Sequence, residues 1–278
     1  MKKAKVLFIS QEMTPYLEET DVSQITRFLP QGIQEKGKEI RTFMPRFGVI
    51  NERRNQLHEV IRLSGMNLII DDSDHPLIIK VASIQSARMQ VYFIDNEEYF
   101  KRKNTFRDSK KKFHKDNDDR MIFFCRGVLE TVKKLGWAPD VIHCHGWMSS
   151  LIPFFAKTGY KDEPMFKNSK IVYSSYYHDL EETFSPNLTK KLKMDGITAD
   201  DMKQFKEPTM TNLQLSAMKL SDAVIKGCDG KNAVLDAYLK KSNKPVLEFK
   251  PYDEEGDFVN SCSDFYDELL EQEPVLAD

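Results

Sequence analysis

The chain has 278 residues, with 43 Asp or Glu against 41 Lys or Arg and a formal net charge of −2. That length can bury a substantial core in one large domain or two small ones. The near-neutral balance excludes the strongly basic surface of a dedicated nucleic-acid binder, and no apolar run approaches the roughly 20 residues of a membrane-spanning helix. The four cysteines, Cys125, Cys144, Cys228 and Cys262, have neither metal nor redox spacing. Reduced thiols in a cytoplasmic protein are the expectation.

The opening "MKKAKVLFIS" has an apolar run of about five residues, too short for a signal peptide, and runs straight into Gln11 and Glu12. It reads as a first strand covered on both faces. A helix over 22–37 follows, with Val22, Ile25, Leu29 and Ile33 on one side. Pro30 is expected to kink or interrupt it. "EIRTFMP" reads as a second strand, and the short β-like runs "PLIIKVASI" and "MQVYFID" read as a hairpin or meander inserted into the sheet. Segment 100–120 contains nine Lys or Arg. It reads as a solvated, mobile loop, with contact to an anionic partner as the alternative.

A helix over 119–135 comes next, then the strand "APDVIHCHGW" with its polar end, the helix "SSLIPFFAKTG" and the strand "SKIVYSSYYHD". Helices over 200–207 and 212–219 lead into the strand "DAVIK". Strands alternating with helices give an α/β fold: a Rossmann-like, doubly wound, mostly parallel sheet over residues 1–250. Residues 251–278 contain ten acidic residues and no Lys or Arg. They read as a solvated or loosely docked tail holding a short helix, "DFYDELLEQ", with a partner-binding helix as the alternative.

In an open parallel sheet, ligands bind beyond the carboxyl ends of the strands. That rule brings together 18–21, 143–148 and 174–178. In the first segment, Asp21 reads as a helix N-cap with Gln24 three residues on as a capping-box partner, so the helix start is satisfied by its own side chains. In the second, His143 and His145 share one face of a strand end with Cys144 opposite. No third ligand stands at a supporting spacing, so neither a metal nor another cofactor is expected, and a buried, hydrogen-bonded histidine pair lining a cleft is the reading. The third segment offers hydroxyls, the rings of Tyr176 and Tyr177, and His178. These suit a sugar and equally serve ordinary packing at a sheet edge.

The order of these segments over about residues 3–228 resembles the N-terminal domain of bacterial glycogen synthases and plant starch synthases, glycosyltransferases that move glucose from ADP-glucose to an α-1,4-glucan. The resemblance rests on "KVLFISQEMTPY", "LPQGIQEKGKEIRTFMPRFG", "DNDDRMIFFCRGVLE" and "PDVIHCHGWMSSLIPFFAK", in that order. It implies the N-terminal half of a two-domain GT-B glycosyltransferase. The chain departs from the family at the positions that the resemblance makes functional. The family's Lys-x-Gly-Gly, which approaches the donor diphosphate, falls on Glu18, Glu19, Thr20 and Asp21. A carboxylate about 4 Å from a phosphate costs on the order of 4 kcal/mol at an effective dielectric of about 20. Met148 stands where the family places a sugar-contacting histidine. The family's Val-His-Asn falls on Ser175, Tyr176 and Tyr177, and a serine falls on Cys228.

No segment resembling the family's second domain follows, so the resemblance implies that half of the transition-state electrostatics is missing. The expectation is a catalytically degenerate binding or regulatory module of glucan metabolism, with a remodelled pocket of Glu18, Glu19, Thr20, Asp21, His143, His145, Met148, Tyr176 and Tyr177. A glucan, a maltooligosaccharide or a protein is the expected partner, and ADP-glucose binding is disfavoured. The alternatives are a glucosyltransferase completed by a separate second-domain chain, in which Glu18 takes a new role, and binding of a different small ligand or sugar in the remodelled cleft.

Overall fold

The computed structural model describes residues 3–252 and 256–271. Strand β1 (Lys5–Ser10) carries Val6, Leu7, Phe8 and Ile9, each at most 1% exposed. A strand with both faces apolar belongs inside a sheet covered on both sides. It pairs in parallel with β2 (Glu39–Pro45) and with β7 (Val141–His145). Between them in sequence lie α1 (Asp21–Glu35), the short strands β3 (His58–Glu59) and β4 (Met66–Ile70), then β5 (Ser73–Ile84), β6 (Met89–Asp95), α2 (Glu97–Phe100) and α3 (Asn117–Leu135). After β7 come α4 (Leu151–Lys157), β8 (Lys170–Ser175), α5 (Leu188–Lys191), α6 (Met210–Leu220), β9 (Ala223–Lys226), α7 (Ala233–Lys241), β10 (Val246–Leu247) and α8 (Asp257–Glu271).

The sheet order is β10-β9-β8-β7-β1-β2-β6-β5-β3, with β4 paired to β5. From β10 to β6 the pairs are parallel. The inserted β3–β5 then turns antiparallel against β6 and itself, so the meander read from the sequence extends one edge of the sheet. One face is buried under α3, α4 and α6 with Leu7, Ile9, Cys144 and Tyr173. The other is buried under α1 and α8 with Val6, Phe8, Val141 and Val172.

Four expectations change. Helix α1 runs unbroken through Pro30, which is buried inside it. Helix α3 starts two residues earlier than expected, at Asn117. The stretch expected as a helix over 200–207 is a single 3₁₀ turn, Asp201–Phe205.

The largest change concerns the acidic tail. Helix α8 is fifteen residues long and packed, with Phe258, Val259, Cys262, Phe265, Tyr266 and Leu269 buried against β1 and α1. Their spacing of three or four forms one apolar stripe, and the acids lie on the opposite side. Gly32 makes the contact close: a Cβ there would stand 2.5 Å from a Val259 methyl. Lys38 Nζ ties the far end, donating to Ser263 Oγ at 2.9 Å and Asp267 Oδ2 at 2.7 Å. Asp253, Glu254, Glu255, Glu273 and Asp278, counted in the acidic tail, lie outside the described residues. Among the described residues no helix is long and apolar enough to cross a membrane, and all four cysteines are free.

Candidate functional site: the carboxyl ends of β1, β7 and β8

The three segments selected by the strand-end rule do converge, because β1, β7 and β8 are neighbours in the sheet. Past β1 the chain turns through Glu12 and enters α1. The N-cap is Thr20, one residue before the position read from the sequence. Its Oγ1 accepts from Ser23 N at 3.0 Å, and Ser23 Oγ accepts from Thr20 N at 2.8 Å. Thr-x-x-Ser forms the reciprocal box because both hydroxyls are short enough to reach the backbone. Asp21 is instead the first helical residue, where its carboxylate suits the helix dipole. Gln24 turns outward and donates to the Glu19 carboxylate. Glu18, Glu19, Thr20 and Asp21 are all exposed at the mouth.

Beneath that mouth lies a sealed polar cluster. His143 and His145 are both 0% exposed, with ring centroids 3.9 Å apart. His143 bonds Tyr266 Oη at 2.6 Å through Nδ1 and Ser174 Oγ at 2.7 Å through Nε2. His145 Nδ1 bonds Tyr176 Oη at 3.0 Å, and its Nε2 has no partner. The histidine pair is therefore buried and hydrogen-bonded, but it lies under the surface and not along an open wall. Met148 is also fully buried, with its N–H donating to Gln11 Oε1 at 3.2 Å and its carbonyl facing Cys125 Sγ at 3.1 Å. Gly146 permits that turn: φ is +77°, and a Cβ would stand 2.4 Å from Gln11 Oε1. The two tyrosines diverge. Tyr176 points down to His145, whereas Tyr177 is half-buried and donates to Asp236 Oδ1 at 2.9 Å on α7. Cys228 Sγ accepts from Tyr177 N at 3.2 Å.

Of the nine residues singled out by sequence, Glu18 and Thr20 line an open cleft of about 630 Å³. Its other walls are Glu12, Tyr16, Leu17, Val49, Phe106, Arg107 and Asp179, with Lys103, Asn104 and Thr105. Half of these come from the basic segment, whose charges mark it in the sequence as a mobile loop. That segment is anchored. Arg102 pairs with Asp116, Arg107 with Asp179 at 2.6 Å and with Glu182 at 2.6 Å, and Phe106 and Phe113 pack on Trp147. Arg120 lies fully buried between Phe47 and Phe100 and donates to Tyr99 O, Thr105 O and Asn117 Oδ1. Burial pulls its pKa down to about 10. The available signal was the aromatic spacing Phe100, Phe106, Phe113 within the charges.

Burial raises the Glu12 carboxyl above its ordinary range, against hydrogen bonds from Gln11 and Thr20, with the Asp179 charge adding to the rise. The mouth carries the Lys103 ammonium and the Arg107 guanidinium beside its carboxylates, one amide and two aromatic rings, and it offers many partners to a polyhydroxylated ligand. Among the described residues no group of three His, Cys, Asp or Glu side chains is placed to hold a metal ion.

The buried histidines carry a pH signature. Burial pushes His145 down to about 3, and burial with the neighbouring His145 puts His143 well below its ordinary value. Both stay neutral in the folded protein while the unfolded chain takes up protons below about pH 6.5. Stability is therefore full above that pH and falls as pH drops. Between pH 7 and pH 5, His145 alone is expected to cost on the order of 2 kcal/mol. Urea midpoints across that range check this, and a flat profile overturns it.

The comparisons with known proteins agree with this architecture. A sequence model described as the starch synthase catalytic domain matches residues 5–226. The glycogen synthase of Chlorobaculum parvum is 35% identical over 221 residues, and that of Chlorobaculum tepidum is 38% identical over 222 residues; each match covers 79% of this chain and 45% of the relative. The chain thus spans about half the length of the curated relatives it matches. Among solved structures, the catalytic domain of starch synthase IV from Arabidopsis thaliana, bound to ADP and acarbose, superposes with a TM-score of 0.69. It is 17% identical, and the match covers 90% of this chain and 52% of that one, which shows a shared fold.

Proposed function

Because the chain belongs to the starch synthase catalytic domain family, we propose that this domain has lost glucosyl transfer and acts as a binding or regulatory module of glucan metabolism. The observation that carries the reading is the mouth of β1. Glu18 and Asp21 stand where the family resemblance puts a lysine and a glycine. The first turn of α1 is already bonded by Thr20 and Ser23. A helix start with free N–H groups attracts phosphate. This one presents carboxylates instead, and they repel a diphosphate. Met148, at the position of a sugar-contacting histidine in the resemblance, is buried and has no donor to offer.

The cleft keeps features that favour a glucan over its nucleotide donor. Tyr16 and Phe106 supply aromatic surface, and Glu12, Asn104, Thr105 and Asp179 supply partners for hydroxyl groups. The test is to incubate the protein with ADP-glucose and a glucan primer, and in parallel to titrate it with maltooligosaccharides. No ADP release above a protein-free control is expected, together with measurable oligosaccharide binding. ADP release would overturn the loss of transfer. Silence toward every oligosaccharide would overturn the glucan partner.

A further inference from the structure

Beside the cleft, and separate from its open mouth, lies a second trough of about 610 Å³ between the turn of the basic segment and residues 182–186. The turn is built with care. Arg107 and Phe113 form an isolated antiparallel bridge. The Asp108 carboxylate accepts from Lys110 N at 2.8 Å and Lys112 N at 2.9 Å. Arg107 Nη1 donates to Lys111 O at 3.1 Å while Arg107 also holds Asp179 and Glu182. Phe113 is clamped between Trp147 and Phe184.

Three features of this turn are not explained by packing. Lys111 sits at φ +61°, a left-handed conformation that glycine or asparagine adopts at lower cost. Lys110, Lys111, Lys112 and Lys115 are exposed and make no ion pair within 4 Å among the described residues, while Asp108 accepts from backbone N–H groups and Asp116 pairs with Arg102. Lys111, Lys112 and Lys115 line the trough and Lys110 flanks them, and the Asp108 charge offsets only part of this set, which leaves an excess of positive charge at the turn. Lastly, half-buried His114 in the trough wall has its Nε2 covered without a hydrogen-bond partner, and burial with the charges of Arg120 and Arg102 lowers its pKa. The one carboxylate in the wall, Glu182, is held by Arg107, which it shares with Asp179 and, at 3.9 Å, with Glu181. Thr183 and Ser185 add hydroxyls, and Phe113 and Phe184 add aromatic surface.

We propose that this trough binds a small phosphate ester, with the lysine turn holding the phosphate and the Thr183–Phe184–Ser185 wall meeting the organic part. Its volume falls within the roughly 300–1,000 Å³ usual for small-molecule sites. Lysines act as point charges for phosphate, and the mixed hydroxyl and aromatic wall fits either a hexose or a nucleoside. The site goes beyond the glucan reading of the cleft and does not depend on it.

The experiment is calorimetric titration, with melting temperatures alongside, using a hexose phosphate, a nucleoside monophosphate, their unphosphorylated counterparts, inorganic phosphate and sulfate, all at matched ionic strength. One of the two esters is expected to bind, to be displaced by inorganic phosphate, and to outbind its unphosphorylated counterpart at least tenfold. Which ester binds identifies the organic part. The combined variant Lys110→Ser, Lys111→Gly, Lys112→Ser is expected to melt at or above the parent temperature, because glycine relieves the left-handed position, and to bind the ester at least tenfold more weakly. The proposal is overturned by equal responses to sulfate and ester, by unchanged binding in the variant, or by a response confined to an acidic peptide, which would make the turn a protein-docking surface. Failure of the ADP-release or oligosaccharide tests would leave this result unaffected, since neither uses the trough.

Discussion

Tyr266→Ala is expected to destabilise the protein by at least about 3 kcal/mol, the lower end for emptying a buried aromatic site. Tyr266 is fully buried, and its hydroxyl is bonded to His143 Nδ1 at 2.6 Å. Truncation leaves a void under α8 and an imidazole nitrogen with neither protein nor water, which adds a penalty of about 1–3 kcal/mol. Tyr266→Phe keeps the ring and removes only the hydrogen bond, so its cost is expected to stay within about 1–3 kcal/mol. Urea unfolding of the two variants measures both terms. Losses below about 1 kcal/mol in each would mean that α8 is a loose appendage, contrary to the packing of Val259 against Gly32.

The second large effect is a gain. The triple variant Glu18→Lys, Thr20→Gly, Asp21→Gly is expected to bind ADP at least tenfold more tightly than the parent. Removing a carboxylate and adding an ammonium each change the interaction with a nearby phosphate by up to about 4 kcal/mol at an effective dielectric of about 20. These side chains are exposed, so solvent screening leaves only a fraction of that bound. Replacing the Thr20 cap by glycine costs only a few tenths of a kcal/mol and frees the first N–H groups of α1 for the ligand. Calorimetric titration with ADP at low and physiological salt reads the change. Unchanged ADP binding would shift the cause of the lost donor affinity away from this loop.

The alternation of strands and helices was legible because each buried strand is apolar on both faces and each helix repeats every three or four residues. The strand-end rule also brought its three segments together, since it depends only on strand order. Three things were harder to read. The N-cap moved from Asp21 to Thr20 because two residues in succession can cap, and the choice depends on Ser23 standing three residues after Thr20. The Phe100, Phe106 and Phe113 anchors were hidden by the charges around them, and the ion pairs to Asp179 and Glu182 come from a distant segment. Helix α8 was read as tail because net acidity dominated its composition. Its apolar positions at 258, 259, 262, 265, 266 and 269 already marked one buried stripe.

The docking of α8 also sets the order in which the molecule can be completed. Its partners on β1 and α1 lie more than two hundred residues earlier in the chain, and the Lys38–Asp267 pair spans 229 positions. Contacts of such separation form late, because loop closure must precede them. During synthesis the face carrying Val6, Phe8, Val22, Ile25 and Leu29 therefore stands uncovered until the ribosome has released α8. A nascent chain in that state exposes an apolar sheet face, the kind of surface that aggregates or recruits chaperones. Helix α8 is what covers that face, and the step that buries the His143–Tyr266 bond is the step that ends its exposure.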